Sequence, residues 1–591
     1  MGWSESENVF PFTKLDKAII MRITMLLGLL LCTIKMSAQP EVKVFYNQIG
    51  YLPGEEKVIV IEGVRSNATL QVTDAIGKVV LRPMVSRVAV SPWSGKERAV
   101  IDVSALRTPG TYTLRAQQVK TDFCVRPHAY HELSVAALKL FYLMRSGTPI
   151  VADYAGVYAR RGGHPDQLVV IHPSAASEGR PAGSFIKSPL GWYDAGDYNK
   201  YIVNSAFSIG LMLHAYEQNK DYFARLDTHI PESRNATPDL LDEMMFNLRW
   251  MLTMQDPSDG GVYHKLTTPD FEAFVSPADC HQLRYVVAKS VTATLDFAAV
   301  MALAARLMRG NADYPLFSSQ AEQAARRAYQ WALAHPDAYY QQDEMNKTYQ
   351  PAVNTGTYGD NYAGDERFWA ATELYLLTAD KRYLADARTM MPDRFTVPTW
   401  GNVAGLAVYA WLASSESDLQ QVLLAQLREY AETAVAQVPT SCFQSPFGNQ
   451  AGDFGWGCLA ENCCGGALAL LYADRYVEEG RYRRYALQNA DYLLGRNATG
   501  YCYVTGFGVR SPQHPHHRLS ASDGVEAPMP GMLVGGPNPD QQDKGMGGLV
   551  YPNRFPDESY VDHQSSYASN EIAINWNASL VALMGWIDAL L

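Results

Sequence analysis

The stretch GWYDAGDYNKY, from Gly191 to Tyr201, sets Asp194 and Asp197 three positions apart between glycines and aromatic rings. Two carboxylates on one short turn suit the joint orientation of a single water molecule, the task of a general base in hydrolysis. A plainer reading is that one Asp caps the helix predicted by the following YNKYIVNSAFSIGLMLHAY, where Ile202, Ala206, Ile209, Leu213 and Tyr216 share a face. A pair flanked by Trp192, Tyr193, Tyr198 and Tyr201 asks for more than a cap.

Two late segments offer partners for that loop. In YASNEIAINWNASLVALMGW, Glu571 opens the terminal helix. The helix dipole alone favours an acidic residue there. The apolar sequence around it would also desolvate the carboxyl and raise its pKa, as a general acid needs. In GRNATGYCYVTGFGVRSPQHPHHR, the residues His514, His516, His517 and Arg518 follow a Gly- and Pro-rich approach. With Pro515 between them, the histidines lack the i, i+4 helical pairing that aims two imidazoles at one ion, so hydrogen bonding to a polyhydroxylated ligand is the better use. Tyr201, Trp456 and Trp576 are the aromatic candidates for sugar contact.

Two kinds of element must position these groups. Residues 40–127 read as short β-rich runs separated by turns, which predicts a seven-stranded, immunoglobulin-like β-sandwich acting as a support domain. From residue 131 to 591 the pattern changes to about twelve helices with apolar spacing and no strand periodicity, which fits antiparallel pairs closing into an (α/α)6 barrel. No fixed-length repeat supports a solenoid. The long irregular segments 147–197, 255–287, 339–364, 438–462 and 497–569 are rich in aromatics and glycine and read as ordered loops lining a cleft.

The 591 residues carry a formal charge of −11 and no long basic run, which argues against a nucleic-acid or anionic-membrane partner. Residues 1–39 read as an N-terminal extension and a secretory signal peptide, with a short apolar run from Met25 to Cys32 and small residues Ser37 and Ala38. The predicted location is periplasmic or extracellular, with lipid anchoring at Cys32 the weaker reading because Leu31 precedes it. No later run is long and apolar enough to span a bilayer. The seven remaining cysteines form no regular framework, and Cys458, Cys463 and Cys464 read as core thiols at the start of a buried helix rather than as zinc ligands.

GWYDAGDYNKY, the GRNATG…VTGFG…HPHHR block and YVDHQSSYASNEIAINWNA together resemble the three motif regions of glycoside hydrolase family nine, the cellulase family, in the subgroup with an N-terminal immunoglobulin-like domain. The resemblance runs over essentially the whole chain after the leader. It implies an (α/α)6 barrel with an open cleft, inverting hydrolysis of β-1,4-glucan by a monomer, and no organic cofactor. By motif, Asp197 is the general base, Asp194 helps to hold the water, Glu571 is the general acid, and His516 and Arg518 contact the sugar beside the cleaved bond. Inversion requires carboxyls roughly 6.5–9.5 Å apart on opposite faces of the sugar, which residues distant in sequence can supply. Trp576 stands where the family commonly has Tyr. Asp365 and Glu366 match a pair that holds structural calcium in relatives, although a further Asp expected near Trp400 is replaced by Gly401 or Asn402. Zinc would need a Cys/His set that Cys280 and His281 do not complete by themselves. The competing readings are an exo-acting glycosidase and a glycan-binding protein without catalysis.

Overall fold

The computed structural model describes residues 41–415 and 417–590, so the leader-like stretch lies outside the described residues. The N-terminal strands are β1 (Lys43–Phe45), β2 (Val58–Glu62), β3 (Leu70–Asp74), β4 (Val79–Leu81), β5 (Val85–Val90), β6 (Glu97–Asp102), β7 (Gly110–Ala116) and β8 (Val119–Val125). They form two four-stranded antiparallel sheets, ordered β1-β2-β6-β5 and β4-β3-β7-β8. Eight strands stand where seven were expected, because the short β4 pairs with β3 across a register shift. Ile59, Ile61, Val72, Ile101, Leu114 and Phe123 point between the sheets and make a core of their own.

The sandwich docks on the helical part through buried polar contacts. Arg98, with no side-chain exposure, pairs with Glu62 of its own domain and with Asp557 and Glu558. Asn47 donates to Asp491 at 2.7 Å and to Tyr130 at 3.0 Å. A buried guanidinium stripped of its carboxylates is strongly destabilising, so the two domains are held in one orientation.

Twelve helices of nine or more residues follow among the described residues: α1 (His131–Leu143), α2 (Ile202–Gln218), α3 (Asp239–Thr253), α4 (Val291–Leu307), α5 (Phe317–Ala334), α6 (Gly364–Thr378), α7 (Lys381–Met390), α8 (Ala404–Leu412), α9 (Ser417–Val435), α10 (Gly465–Tyr476), α11 (Arg483–Leu493) and α12 (Ile574–Ala589). Their burial alternates. Helix α2 is buried without a break from Ile202 to Ala215, α4 from Val291 to Ala305, α8 throughout, and α12 from Ile574 to Asp588. Helices apolar all round must lie inside. By contrast α5 buries one stripe, including Ala321, Ala325, Ala328 and Ala332, and turns the rest to water. The even-numbered helices pack in succession, α12 on α2, α2 on α4, α4 on α6, α6 on α8 and α10 on α12, while α1, α5, α7 and α11 cover them from outside. This is the inner and outer ring of an (α/α)6 barrel.

One element departs from the expected all-helical pattern. Strands β9 (Val169–Ile171), β10 (Phe185–Ile186), β11 (Lys200–Tyr201), β12 (Lys265–Thr267) and β13 (Tyr285–Val286) form a small sheet ordered β10-β9-β13-β12-β11. Strands of two or three residues carry no readable periodicity. Their use is positional, since β11 leaves the Asp194–Asp197 loop directly and pairs Tyr201 with Lys265.

Candidate active site

The acidic loop is a wedge in the barrel mouth rather than an exposed turn. Trp192 enters it with its backbone N–H on Asn247 and its indole N–H on Glu243 at 2.8 Å. The Asp194 carbonyl accepts from the first N–H of α12, Ile574, at 2.8 Å. Asp194 and Asp197 are consequently only 1% and 6% exposed. Asn204 Nδ2 and the Tyr358 hydroxyl donate to the two carboxylate oxygens of Asp194, at 2.8 and 2.7 Å. Burial, followed by the charge of Asp197, still raises the Asp194 pKa. In Asp197 every donor converges on Oδ2: Asn199 Nδ2 at 2.6 Å, the Tyr201 hydroxyl at 3.0 Å and the Asn199 backbone at 3.4 Å. Oδ1 accepts no hydrogen bond from the described residues and is left for a water.

Glu571 sits on extended backbone ahead of α12, not in its first turn. A parallel bridge to His516 fixes it there, with His516 N–H on the Asn570 carbonyl at 2.8 Å. Its carboxyl meets the backbone N–H of Gly196 in the acidic loop, and a Cβ on Gly196 would stand 3.1 Å from Glu571 Oε1 and 2.7 Å from the His516 carbonyl. Only glycine permits that approach. Burial, and then the nearby charge of Asp197, pushes the Glu571 carboxyl up to about 8. A carboxylic acid that keeps its proton at neutral pH can donate it.

His516 donates from Nδ1 to the Gln564 carbonyl at 2.7 Å. Burial pushes its pKa down to about 4, so the ring is neutral and, with Nδ1 as the donor, Nε2 is an acceptor. Arg518 spends Nη1 and its own N–H on the Gly196 carbonyl and Nε on the Glu272 carbonyl, leaving Nη2 without a protein acceptor among the described residues. Phe271 and Phe274 lie over its guanidinium at 5.5 and 4.8 Å. Phe274 meets the His516 ring edge-on, and Tyr567 bridges His516 to Trp456. Trp456 is 53% exposed, a free aromatic face. Two aromatic expectations need correcting. Tyr201 is buried with its hydroxyl committed to Asp197, so it holds that carboxylate and offers no face to a sugar. Trp576 is 5% exposed because Gly457 and Gly535 pack flat against its ring, so it supports the floor and offers no face to a sugar.

The arrangement is that of a hydrolase acting on a glycosidic bond, with an oriented carboxylate, a desolvated acid brought from the far end of the chain, and an aromatic wall. The model of glycosyl hydrolase family 9 matches residues 130–584, and that of the cellulase N-terminal ig-like domain matches residues 37–121. The chain belongs to glycosyl hydrolase family 9.

Among similar family members, a xyloglucan-specific endo-beta-1,4-glucanase of Bacteroides ovatus is 52% identical over 569 residues, covering 95% of this chain and 96% of its own. Endoglucanase D of Acetivibrio thermocellus is 31% identical, covering 92% and 83%. The solved structure of a Bacteroides ovatus family 9 protein superposes with a TM-score of 0.89 at 51% identity, covering 93% of this chain and 99% of its own. As a family 9 glycoside hydrolase the protein needs no organic cofactor.

Sequence reasoning missed Tyr358, Asn204 and Asn199, which hold the carboxylates, and Lys265, wholly buried below Tyr201 and pushed down to about 7 mainly by burial. Only the length of segment 339–364 hinted that Tyr358 would reach the cleft. Away from the cleft, Asp365 accepts from Val403 N–H at 2.8 Å, while Glu366 Oε2 and both oxygens of the fully buried Asp296 have no donor. Burial and mutual repulsion raise the pKa of Asp296 and Glu366, and burial chiefly that of Asp365. These three carboxyls are buried, short of donors and mutually repelling.

Proposed function

We propose that the protein is an inverting endo-β-1,4-glucanase acting on β-glucan chains, with xyloglucan as the preferred substrate. Asp197 takes a proton from the water that Asp194 helps to orient, that water attacks the anomeric carbon, and Glu571 gives its proton to the leaving oxygen. Nε2 of His516 and Nη2 of Arg518 face the sugar next to the cleaved bond, and Trp456 stacks on a neighbouring one. The observation that carries this reading is the asymmetry of the two carboxyls. Asp197 has one oxygen locked by three donors and the other free, whereas Glu571 is desolvated into a proton-holding acid. The xyloglucan preference rests on the relative of that name at 52% identity.

The test is reducing-end release from xyloglucan, mixed-linkage glucan and carboxymethylcellulose, with the product anomer followed by NMR. Mixed oligosaccharides of inverted configuration are expected, and Asp197→Asn and Glu571→Gln should each abolish release. Undiminished activity in both variants, or a retained anomer, refutes the mechanism. Single sugars from the first minutes would replace endo with exo action.

The proposal extends to three further points. Asp296, Asp365 and Glu366 would hold a structural calcium ion, whose charge offsets their repulsion. The N-terminal leader would export the enzyme to the periplasm or beyond, and no described helix is long and apolar enough to cross a membrane. The enzyme would work as a monomer, which its sedimentation would report.

A further inference from the structure

The segment 351–358 lies across the small sheet and delivers Tyr358 to Asp194, and one buried lysine fastens it there. The Pro351 carbonyl accepts from His172 Nε2 at 3.0 Å beside β9, the Thr355 hydroxyl meets that of Thr267 in β12 at 2.6 Å, and the Thr357 carbonyl accepts from His264 Nε2 at 2.7 Å. The segment ends with the Tyr358 hydroxyl 2.7 Å from Asp194 Oδ2. Lys265, the first residue of β12, is wholly buried against it. Its partner in register across the sheet is Tyr201 of β11, whose hydroxyl holds Asp197.

The hydrogen bonds around Lys265 fix its protonation. Nζ reaches Gln342 Oε1 and the Gly356 carbonyl at 2.7 Å each and Thr355 Oγ1 at 3.0 Å. The Gln342 amide is oriented by its Nε2, which donates to the Thr355 carbonyl and leaves Oε1 facing the lysine. Thr267 spends its proton on the Thr268 carbonyl, so Thr355 donates to Thr267 and accepts from Lys265. Three acceptors need three N–H donors, which the ammonium has and the neutral amine lacks. All three are uncharged. Burial opposes that charge, and the carboxylate that favours it is Asp197, bound to the Tyr201 hydroxyl.

Two arms run from this ammonium to the catalytic loop. One is the segment itself, where the Gly356 carbonyl stands two residues before Tyr358. The other is the Tyr201 ring, which Nζ faces at 5.5 Å. The arms touch, since the Tyr201 and Tyr358 rings are 4.8 Å apart and a Cβ on Gly356 would stand 3.1 Å from the Tyr201 hydroxyl. We propose that Lys265 is a positioning residue for both carboxylates of the catalytic loop, its ammonium locking the 351–358 segment to β12 so that Tyr358 stays on Asp194 and Tyr201 on Asp197. Its removal strips buried acceptors of their donor and frees the segment to lift. Among the described residues none of its hydrogen bonds goes to Trp456, His516 or Arg518, so the sugar contacts stay in place.

This inference rests on the reading of Asp194 and Asp197 as the pair that orients water, and its test separates the two. Lys265→Met keeps the apolar stem and should lower kcat on xyloglucan by about 10²-fold while KM stays within about threefold of wild type, because a misplaced water costs rate and not binding. A role in stability alone would lower the melting temperature and leave the kcat of the folded protein unchanged. Thr355→Val keeps the shape and removes one acceptor; it should lower kcat by about 10-fold in the same manner, and it decides if Lys265→Met does not fold. Added to Tyr201→Phe/Tyr358→Phe, Lys265→Met should cost less than about threefold, because the hydroxyls it acts through are gone. Undiminished kcat in Lys265→Met or Thr355→Val beside an active wild type overturns this inference alone, and so does a full ~10²-fold loss in the background without the two hydroxyls. A wild type inactive on every glucan overturns the assignment of the carboxylates and this inference with it.

Discussion

Glu571→Gln should destroy activity and stabilise the protein, and the stabilisation should depend on pH in a calculable way. The wild-type carboxyl titrates at about 8 in the cleft against an ordinary 4.5. Below pH 4.5 native and unfolded chains both hold the proton, and the group costs nothing. As pH rises the unfolded chain ionises first, so stability drains away until the native carboxyl ionises near pH 8 and the loss levels off. At ~1.36 kcal/mol per pH unit that window is worth about 5 kcal/mol. Glu571 opens on cleft water, which screens the ionised form and leaves about 2 kcal/mol. Gln keeps the acceptor for Gly196 N–H and has no proton to lose. Its melting temperature should exceed wild type by about 2–4 °C at pH 8, at about 1–2 °C per kcal/mol for a chain of this size, and should match wild type at pH 4.5. The assay is calorimetry of both proteins across that range. An offset that does not change with pH would refute the claim that Glu571 is a desolvated acid, whatever its effect on turnover.

The pH profile of wild-type kcat should fall as pH rises through about 8, since the acid must enter the reaction protonated. Gly196→Ala should cut kcat by about 10²-fold or more and also lower the melting temperature, because its methyl group would stand 2.7 Å from the His516 carbonyl and force the two backbones apart; near-wild-type kcat and melting would show that the close approach is immaterial. Trp456→Ala should raise KM by about 10-fold with kcat nearly unchanged, the mark of lost uniform binding, and an equal fall in kcat would place Trp456 closer to the chemistry. Calcium should raise the melting temperature of the chelated protein, and Asp296→Asn should abolish that response; an undiminished response in the variant would place the ion elsewhere.

The fold was legible in proportion to the length of its elements. Helices α2, α4 and α12 announce themselves as long apolar runs, and the sandwich strands as short β-rich runs between turns. Strand β11 is two residues long and invisible as a pattern, although it aims the catalytic loop. The carboxylates themselves were legible from their unusual company. Their burial was not, because Gly, Asp and Asn are the residues of an exposed turn and only the packing of α12 against the loop shows otherwise. Tyr358 shows in the sequence only through the length of its segment, since it acquires its setting from a loop whose path to Asp194 depends on the rest of the barrel.

The site's two halves lie almost at opposite ends of the barrel sequence, and the residue that joins them has no side chain. Gly196 N–H meets Glu571, and its carbonyl receives both the backbone and the guanidinium of Arg518. The peptide groups of the loop carrying Asp197 are therefore hydrogen-bonded to the start of α12 through the Asp194 carbonyl and to Arg518 through the Gly196 carbonyl. Any shift of the Asp197 loop must carry Glu571 and Arg518 with it or break buried hydrogen bonds, so the spacing between acid and base is set by the backbone. A barrel closed by α12 packing on α2 is what brings the last helix beside the loop that begins the second one, and the chemistry follows from that closure.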